Sequence, residues 1–144
     1  MGFRAVDHCV TIVAFEKNQR KYGMTCAWCM MVDYDKIVCL LGTQSVTGRN
    51  INKGDIVGVS SLSTDQKEIA LSFGDGHSDE IDKFSQCEIN QNNTAITIKE
   101  SCREMVCEVI DVLHLEGIEE DNLIYLKVKN YVENNDSFLH YMDI

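Results

Sequence analysis

"GMTCAWCMMV", residues 23–32, is the stretch on which the reading of this chain turns. Cys26 and Cys29 stand on either side of Ala27 and Trp28. That spacing admits three chemistries: a thiol–disulfide exchanger, half of a zinc site, or a cofactor wall that contains two cysteines. A thioredoxin-type pair sits at a helix N-terminus, whose dipole lowers the attacking thiol's pKa. Here the surroundings are β-branched and aromatic, and no helix cap or proline follows. Zinc needs two further ligands at comparable spacing. The other cysteines and His8, His77, His114 and His140 offer no second short-spaced pair. If residues 25–32 form one strand, positions three apart face opposite ways, so Cys26 and Cys29 point apart. Their sulfurs are then expected to be small core filler.

Outward from this stretch, the chain consists of short runs rich in β-branched and aromatic residues. "HCVTIVAF" (8–15), "TCAWCMMV" (25–32), "KIVCLL" (36–41) and "DIVGVSSL" (55–62) read as strands, and "VDYDK" (32–36) as a tight hairpin loop. "QCEIN" (86–90), "TAITI" (94–98), "SCREMVCEVIDVLHL" (101–115) and "NLIYLKVKNYV" (122–132) have strand-like alternation. Two segments interrupt the rhythm. "TQSVTGRNINKG" (43–54) sets Val46 and Ile51 among polar residues and ends in Gly54, which predicts a short helix with a glycine stop. "STDQKEIALSFG" (63–74) offers Ser63 or Thr64 as N-cap and places Ile69, Ala70 and Phe73 at helical spacing, with Gly74 as the stop. Strands joined mainly by turns, with two inserted helices, predict a mostly β barrel rather than a doubly wound sheet.

Composition narrows the classes. At 144 residues, one domain over 1–144 is expected, and 44% hydrophobic with 25% charged residues argues against disorder. Seven cysteines at irregular spacing do not form a secreted disulfide framework, so reduced thiols and a cytoplasmic location are expected. The longest apolar run, Cys26–Val32, is far short of a bilayer span, so no membrane association is expected. The N-terminal residues carry no signal-peptide block, and Val6 stands where a myristoylation motif needs Ser or Thr. A net charge of −10 speaks against nucleic acid. Its distribution is uneven: residues 1–53 hold seven Lys/Arg against four Asp/Glu, and residues 54–144 hold six against nineteen. A positive patch in an acidic protein is a place for a small anion, although a solvated face gives the same count.

The ordered set "GMTCAWCMMV", "KIVCLL", "TQSVTGRNI", "DIVGVSSL", "KEIALSFG" and "SDEIDKF" resembles the flavin reductase-like, FMN-binding split-barrel family. In that family an apolar strand, a Gly–Thr–Trp stretch and a second strand precede a Ser/Thr-containing helix. Another strand and a helix ending in Phe-Gly lead to Asp-Lys-Phe. The likeness is close over about half the chain and general over the later strands. Ala27 replaces a Ser ahead of the tryptophan, and Ile56 and Ser60 stand where Phe and Val-Asn are common. The resemblance implies a split β-barrel, Greek-key-like and antiparallel, with two or three short helices.

It also implies a site. Met24, Thr25, Cys26, Ala27, Trp28 and Cys29 would line the flavin ring, and Lys83 would close over it. Thr43, Gln44, Ser45, Thr47, Arg49 and Asn50 would take the FMN phosphate; hydroxyls, a guanidinium and N–H groups entering a helix suit that anion. An ordinary capped surface helix carries the same residues. No protein acid or base is obligatory, because the flavin N5 carries the chemistry. The implied activity is electron transfer from NAD(P)H through FMN to flavin, a metal chelate or a protein. The alternatives are an FMN-binding electron carrier with a protein redox partner, and a related barrel that binds another cofactor or none. A homodimer is implied, and exposed strand edges favour one.

Overall fold

The structure is a computed structural model that describes residues 3, 5–43, 45–74, 83–118 and 120–144. Among the described residues nine strands make it mostly β: β1 (Thr11–Lys17), β2 (Arg20–Cys26), β3 (Cys29–Asp33), β4 (Lys36–Gly42), β5 (Ile56–Ser61), β6 (Ile89–Asn92), β7 (Ala95–Ile98), β8 (Arg103–Leu113) and β9 (Asp121–Glu133). Two α-helices are short, α1 (Val46–Arg49) and α2 (Lys67–Phe73). The strand order is β3-β4-β9-β8-β5-β1-β7-β6, with β2 paired to β1, and every ladder is antiparallel. Among the described residues no ladder joins β2 to β3 or β4. The barrel is split along that seam, and the Cys26 thiol crosses it, donating to the Leu40 carbonyl at 3.6 Å.

Two packed layers result. The barrel interior is filled by inward strand positions, such as Ile37, Cys39 and Leu41 of β4 and Ile124 and Leu126 of β9. Period-two alternation produces this face. A second layer, with Ile12, Leu62, Ile96, Phe73 and Phe84, lies where α2 packs on β1 and β2. There Gly58 is required: a Cβ on it would stand 1.9 Å from the Ile96 carbonyl oxygen.

The strand prediction over 25–32 needs correction. The chain bends at Ala27 and Trp28, so Cys26 ends β2 and Cys29 begins β3. Both cysteines are buried in the barrel interior, and the opposite-face argument does not apply to them. Asn18 and Gln19, between two of the expected strands, form the β1–β2 turn with φ of 53° and 66°. That is the mirror-image turn that suits hairpin twist. The helix expected over 43–54 is one turn that stops at Asn50; Gly54 lies in the following turn with φ 91°. The helix at 63–74 forms as a 3₁₀ turn (Thr64–Gln66) leading into α2, capped by Ser63 and ended by Gly74. β6 begins at Ile89 rather than Gln86, because Lys83–Gln86 is a 3₁₀ turn.

Candidate functional site

The split in the barrel brings the two sequence segments of interest together. Met24 on β2 and Ser45 before α1 meet, with the Ser45 hydroxyl 3.3 Å from the Met24 sulfur. Ser45 is the N-cap of α1: its oxygen accepts from the Gly48 N–H at 2.9 Å, and its hydroxyl lies 2.7 Å from the Gly42 carbonyl it donates to. That turn is tight, since a Cβ on Gly48 would come within 2.3 Å of the Gly42 oxygen. The capped-helix reading is therefore realised, and a ligand at Ser45 must share a hydroxyl already in use.

The other members of the loop are also held. The Thr43 hydroxyl donates to the Glu120 carbonyl. Thr47 is buried. Asn50 donates its amide to the Val46 carbonyl at 2.7 Å and accepts from the Lys17 ammonium at 2.6 Å. Lys17 is itself paired with Asp55 at 2.7 Å, which ties β1 to the segment after α1. Arg49 is exposed, and its Nη1 lies 3.5 Å from the Thr43 carbonyl. Its guanidinium is thus the charged donor that the loop presents to solvent. Gln44 lies outside the described residues.

On β2, the Thr25 hydroxyl donates to the Ala70 carbonyl at 2.5 Å, fixing the strand to α2. Lys83 is buried; its ammonium donates to the Phe73 carbonyl at 2.8 Å and to the Gly23 carbonyl at 3.1 Å. The residue expected to close over a cofactor here joins the end of α2 to the start of the Met24–Cys29 segment. Trp28 is 57% exposed, so its indole stands available on the rim rather than in the core.

Inside the seam lies a group that the sequence reading missed. Cys39 on β4 is the direct ladder partner of Cys29, and Cys26 reaches the adjacent Leu40 carbonyl. Hydrogen bonds to Cys26 and Cys29, together with complete burial, hold the Cys39 thiol well above its usual pKa. Burial pushes Cys107, on β8, up to about 12. The signal was present in the period-two positions 37, 39 and 41, which face inward as a set. Among the described residues, no group of three or more His, Cys, Asp or Glu side chains is placed to hold a metal ion.

A cavity of about 460 Å³ opens on the other flank of β3, lined by Cys9, Cys29, Met31, Tyr34 and Arg103 among others. Around it Met30, Met31, Val32 and Tyr34 are exposed, Tyr34 at 98%. β3 is an edge strand of the sheet. The arrangement thus offers an exposed guanidinium, a half-buried thioether and an exposed indole along one seam, with an apolar edge beside it. The donor set fits a phosphorylated, flat, amphipathic group: Arg49 for charge, and Met24, Ala27 and Trp28 for the ring.

The model of one family, described as a flavin reductase like domain, matches residues 3–143. No curated protein sequence matches the chain. Among solved structures, a candidate oxidoreductase from Sinorhizobium meliloti superposes with a TM-score of 0.81 at 16% identity, over 95% of this chain and 47% of that one. The chain therefore spans about half the length of that protein. An NADH:FAD oxidoreductase from Streptomyces globisporus gives 0.79 at 16% identity, over 89% of this chain and 76% of that one; it has also been solved with NAD and FAD fragments. An FMN-binding protein from Thermus thermophilus gives 0.80 at 17% identity, over 92% and 75%. At these identities the likeness is one of fold. No helix among the described residues is long and apolar enough to cross a membrane, which says nothing of a β-barrel.

Proposed function

The chain belongs to the flavin reductase like domain family, and from that premise we propose that it binds FMN along the seam between β2 and α1. In this reading it is an oxidoreductase that passes electrons from NAD(P)H through FMN to free flavin, a metal chelate or a protein acceptor. The observation that carries it is the Met24–Ser45 contact, which joins the ring-lining and phosphate segments into one surface. Arg49 takes the phosphate, with Ser45 and the N–H groups around α1. Met24, Ala27 and Trp28 cover the ring. Thr25 and Lys83 act by holding β2 against α2. Bound flavin supplies hydride acceptance and release at its N5; the protein binds and orients it and keeps water from one face. The FMN-binding and NAD-bound neighbours support the choice of cofactor and donor.

The test is spectroscopic. Titrating the protein with FMN should perturb the flavin absorption with a dissociation constant in the micromolar range or tighter. NADH or NADPH should then bleach the bound flavin without air. Absence of FMN binding ends the proposal. A second reading, an FMN electron carrier that docks a protein redox partner, is favoured by the acid excess of residues 54–144. FMN binding without bleaching by either nucleotide would select it.

A homodimer in the cytoplasm, built from a single domain over 1–144, completes the proposal. It is supported by the unpaired β3 edge with exposed Met30, Met31, Val32 and Tyr34, since symmetric burial covers such an edge. Light scattering of the FMN-loaded protein should report twice the chain mass of 16.3 kDa.

A further inference from the structure

We propose that Cys29 and Cys39 are an oxidation site, forming a reversible cross-strand disulfide when a hydroperoxide enters the cavity beside β3. The inference does not depend on flavin binding. It starts from the ladder. Cys29 and Cys39 are opposite one another in the antiparallel β3–β4 pair. The Leu40 N–H donates to the Trp28 carbonyl at 2.9 Å, which makes Trp28 and Leu40 a hydrogen-bonded pair. Pairs alternate along an antiparallel ladder, so Cys29 and Cys39 form a non-hydrogen-bonded pair. Such residues have Cα atoms about 4.5 Å apart, inside the range of roughly 4.4–6.8 Å that a disulfide spans. Both side chains face the barrel interior. Cys26 is in no ladder with either, because β2 pairs with β1, but its sulfur also hydrogen-bonds that of Cys39 and makes it the competing partner.

The two sulfurs differ in access. Cys29 lines the cavity of about 460 Å³, whereas Cys39 is fully buried behind it. Cys39 is held protonated by its sulfur neighbours and its burial. Cys29 is therefore the sulfur that meets the oxidant. Its sulfur attacks one peroxide oxygen, the O–O bond breaks, and Cys29 becomes a sulfenic acid while the thiol proton leaves with the other oxygen as water or alcohol. The Cys39 sulfur then attacks the Cys29 sulfur. The S–S bond forms, the S–O bond breaks, and the hydroxide leaves as water with the Cys39 proton. Two thiols lose two electrons, and one hydroperoxide gains them. A cross-strand link bends ladder geometry toward the shorter Cβ separation of a disulfide, and strained disulfides are readily reduced again.

The experiment uses the full chain, freshly reduced and desalted, exposed to an equimolar amount of hydrogen peroxide at neutral pH. Remaining thiols are then alkylated in denaturant and the protein is mapped by mass spectrometry. The expected result is a protein that has lost two of its seven thiols, lighter by two hydrogens, with a peptide link joining residues 29 and 39. Dithiothreitol should restore all seven. C29S and C39S should each abolish the link, and C107S should retain it. The wild-type map decides the matter even where a variant folds poorly. Four results would overturn the proposal: no linked pair, a link from Cys39 to Cys26, a link from Cys29 to Cys9 or Cys26, or Cys29 carried on to sulfinic acid with Cys39 still free.

Discussion

The two cores of this molecule are packed with different materials. The layer under α2 has no cysteine among its fully buried members; it is built from Ile12, Leu62, Ile96, Ile98, Phe73 and their neighbours. The barrel interior buries four cysteines, Cys26, Cys29, Cys39 and Cys107, alongside branched aliphatics. The first layer closes by backbone approach at Gly58 and by the edge-to-face pair of Phe73 and Phe84, 5.0 Å apart. The second is split, and at the seam the Cys26 sulfur reaches the Leu40 carbonyl where no ladder joins β2 to β4. Sulfur is soft and polarizable, and adapts to irregular gaps. The lesson is a division of labour. The aromatic layer fixes the frame, and the thiol-lined barrel carries the open seam on which the proposed site rests.

That contrast is breakable. The largest effect is expected at the closed layer: Gly58→Ala forces a methyl into the Ile96 carbonyl and should cost more than about 4 kcal/mol in urea unfolding, the range reserved for severe core lesions. If it costs little, the close approach of β5 and β7 is not the constraint described. Phe73→Ala should cost about 3–5 kcal/mol, against about 1 kcal/mol for Cys107→Ala in the barrel, near the methylene-sized end of core truncations. Equal losses would erase the distinction between the two cores. Arg49→Ala belongs to neither core. It should weaken FMN binding roughly ten- to a hundredfold, the worth of a charge-assisted hydrogen bond of about 1.5–3 kcal/mol, while riboflavin affinity and the unfolding midpoint stay put. A parallel fall in riboflavin affinity would move the phosphate elsewhere.

Alkali sharpens the comparison further, because the barrel holds ionisable groups at its centre. Cys107 has its folded pKa raised from 9.0 to about 12. Its contribution is fully present below the unfolded value and is lost as pH rises through this window. Stability should fall by roughly 1.4 kcal/mol per pH unit above about 9 from this group, and C107A should flatten that slope. The smallest effect is expected at Gln19, whose φ of 66° suits glycine better. Gln19→Gly should raise stability by about 0.5–1 kcal/mol, within the strain of the left-handed region. No gain in the unfolding midpoint would mean that the turn carries no such strain.

How much of this was legible follows from particular residues. Strands β4, β5, β7, β8 and β9 announce themselves through alternation, and α2 through Ser63 at one end and Gly74 at the other. The β1–β2 hairpin was hidden because Asn18-Gln19 lacks the glycine that usually marks such a turn. The bend at Ala27–Trp28 had no glycine or proline to mark it either. Missing that bend put Cys26 and Cys29 on opposite faces when they share one interior. The meeting of Met24 with Ser45 is a tertiary contact between segments 21 positions apart, and no local pattern encodes it. Lys83 was legible as a residue of interest but not as a buried tie, since its partners are backbone carbonyls of Gly23 and Phe73.

The triple pairing of β1 has a consequence for how the chain is made. β1 is bonded to β2 beside it, to β5, and at Phe15 to Ala95 of β7. At a synthesis rate of about 5–20 residues per second, Phe15 waits roughly 4–16 s for its last partner to leave the ribosome. The β1–β2 and β3–β4 hairpins assemble in microseconds once their residues are out. Until β5 is made, β1 presents an unsatisfied hydrogen-bonding edge that includes Ile12 and Val13, and Phe15 waits longer still for β7. A nascent segment with such an edge gains from a chaperone or a quiet neighbourhood before translation finishes.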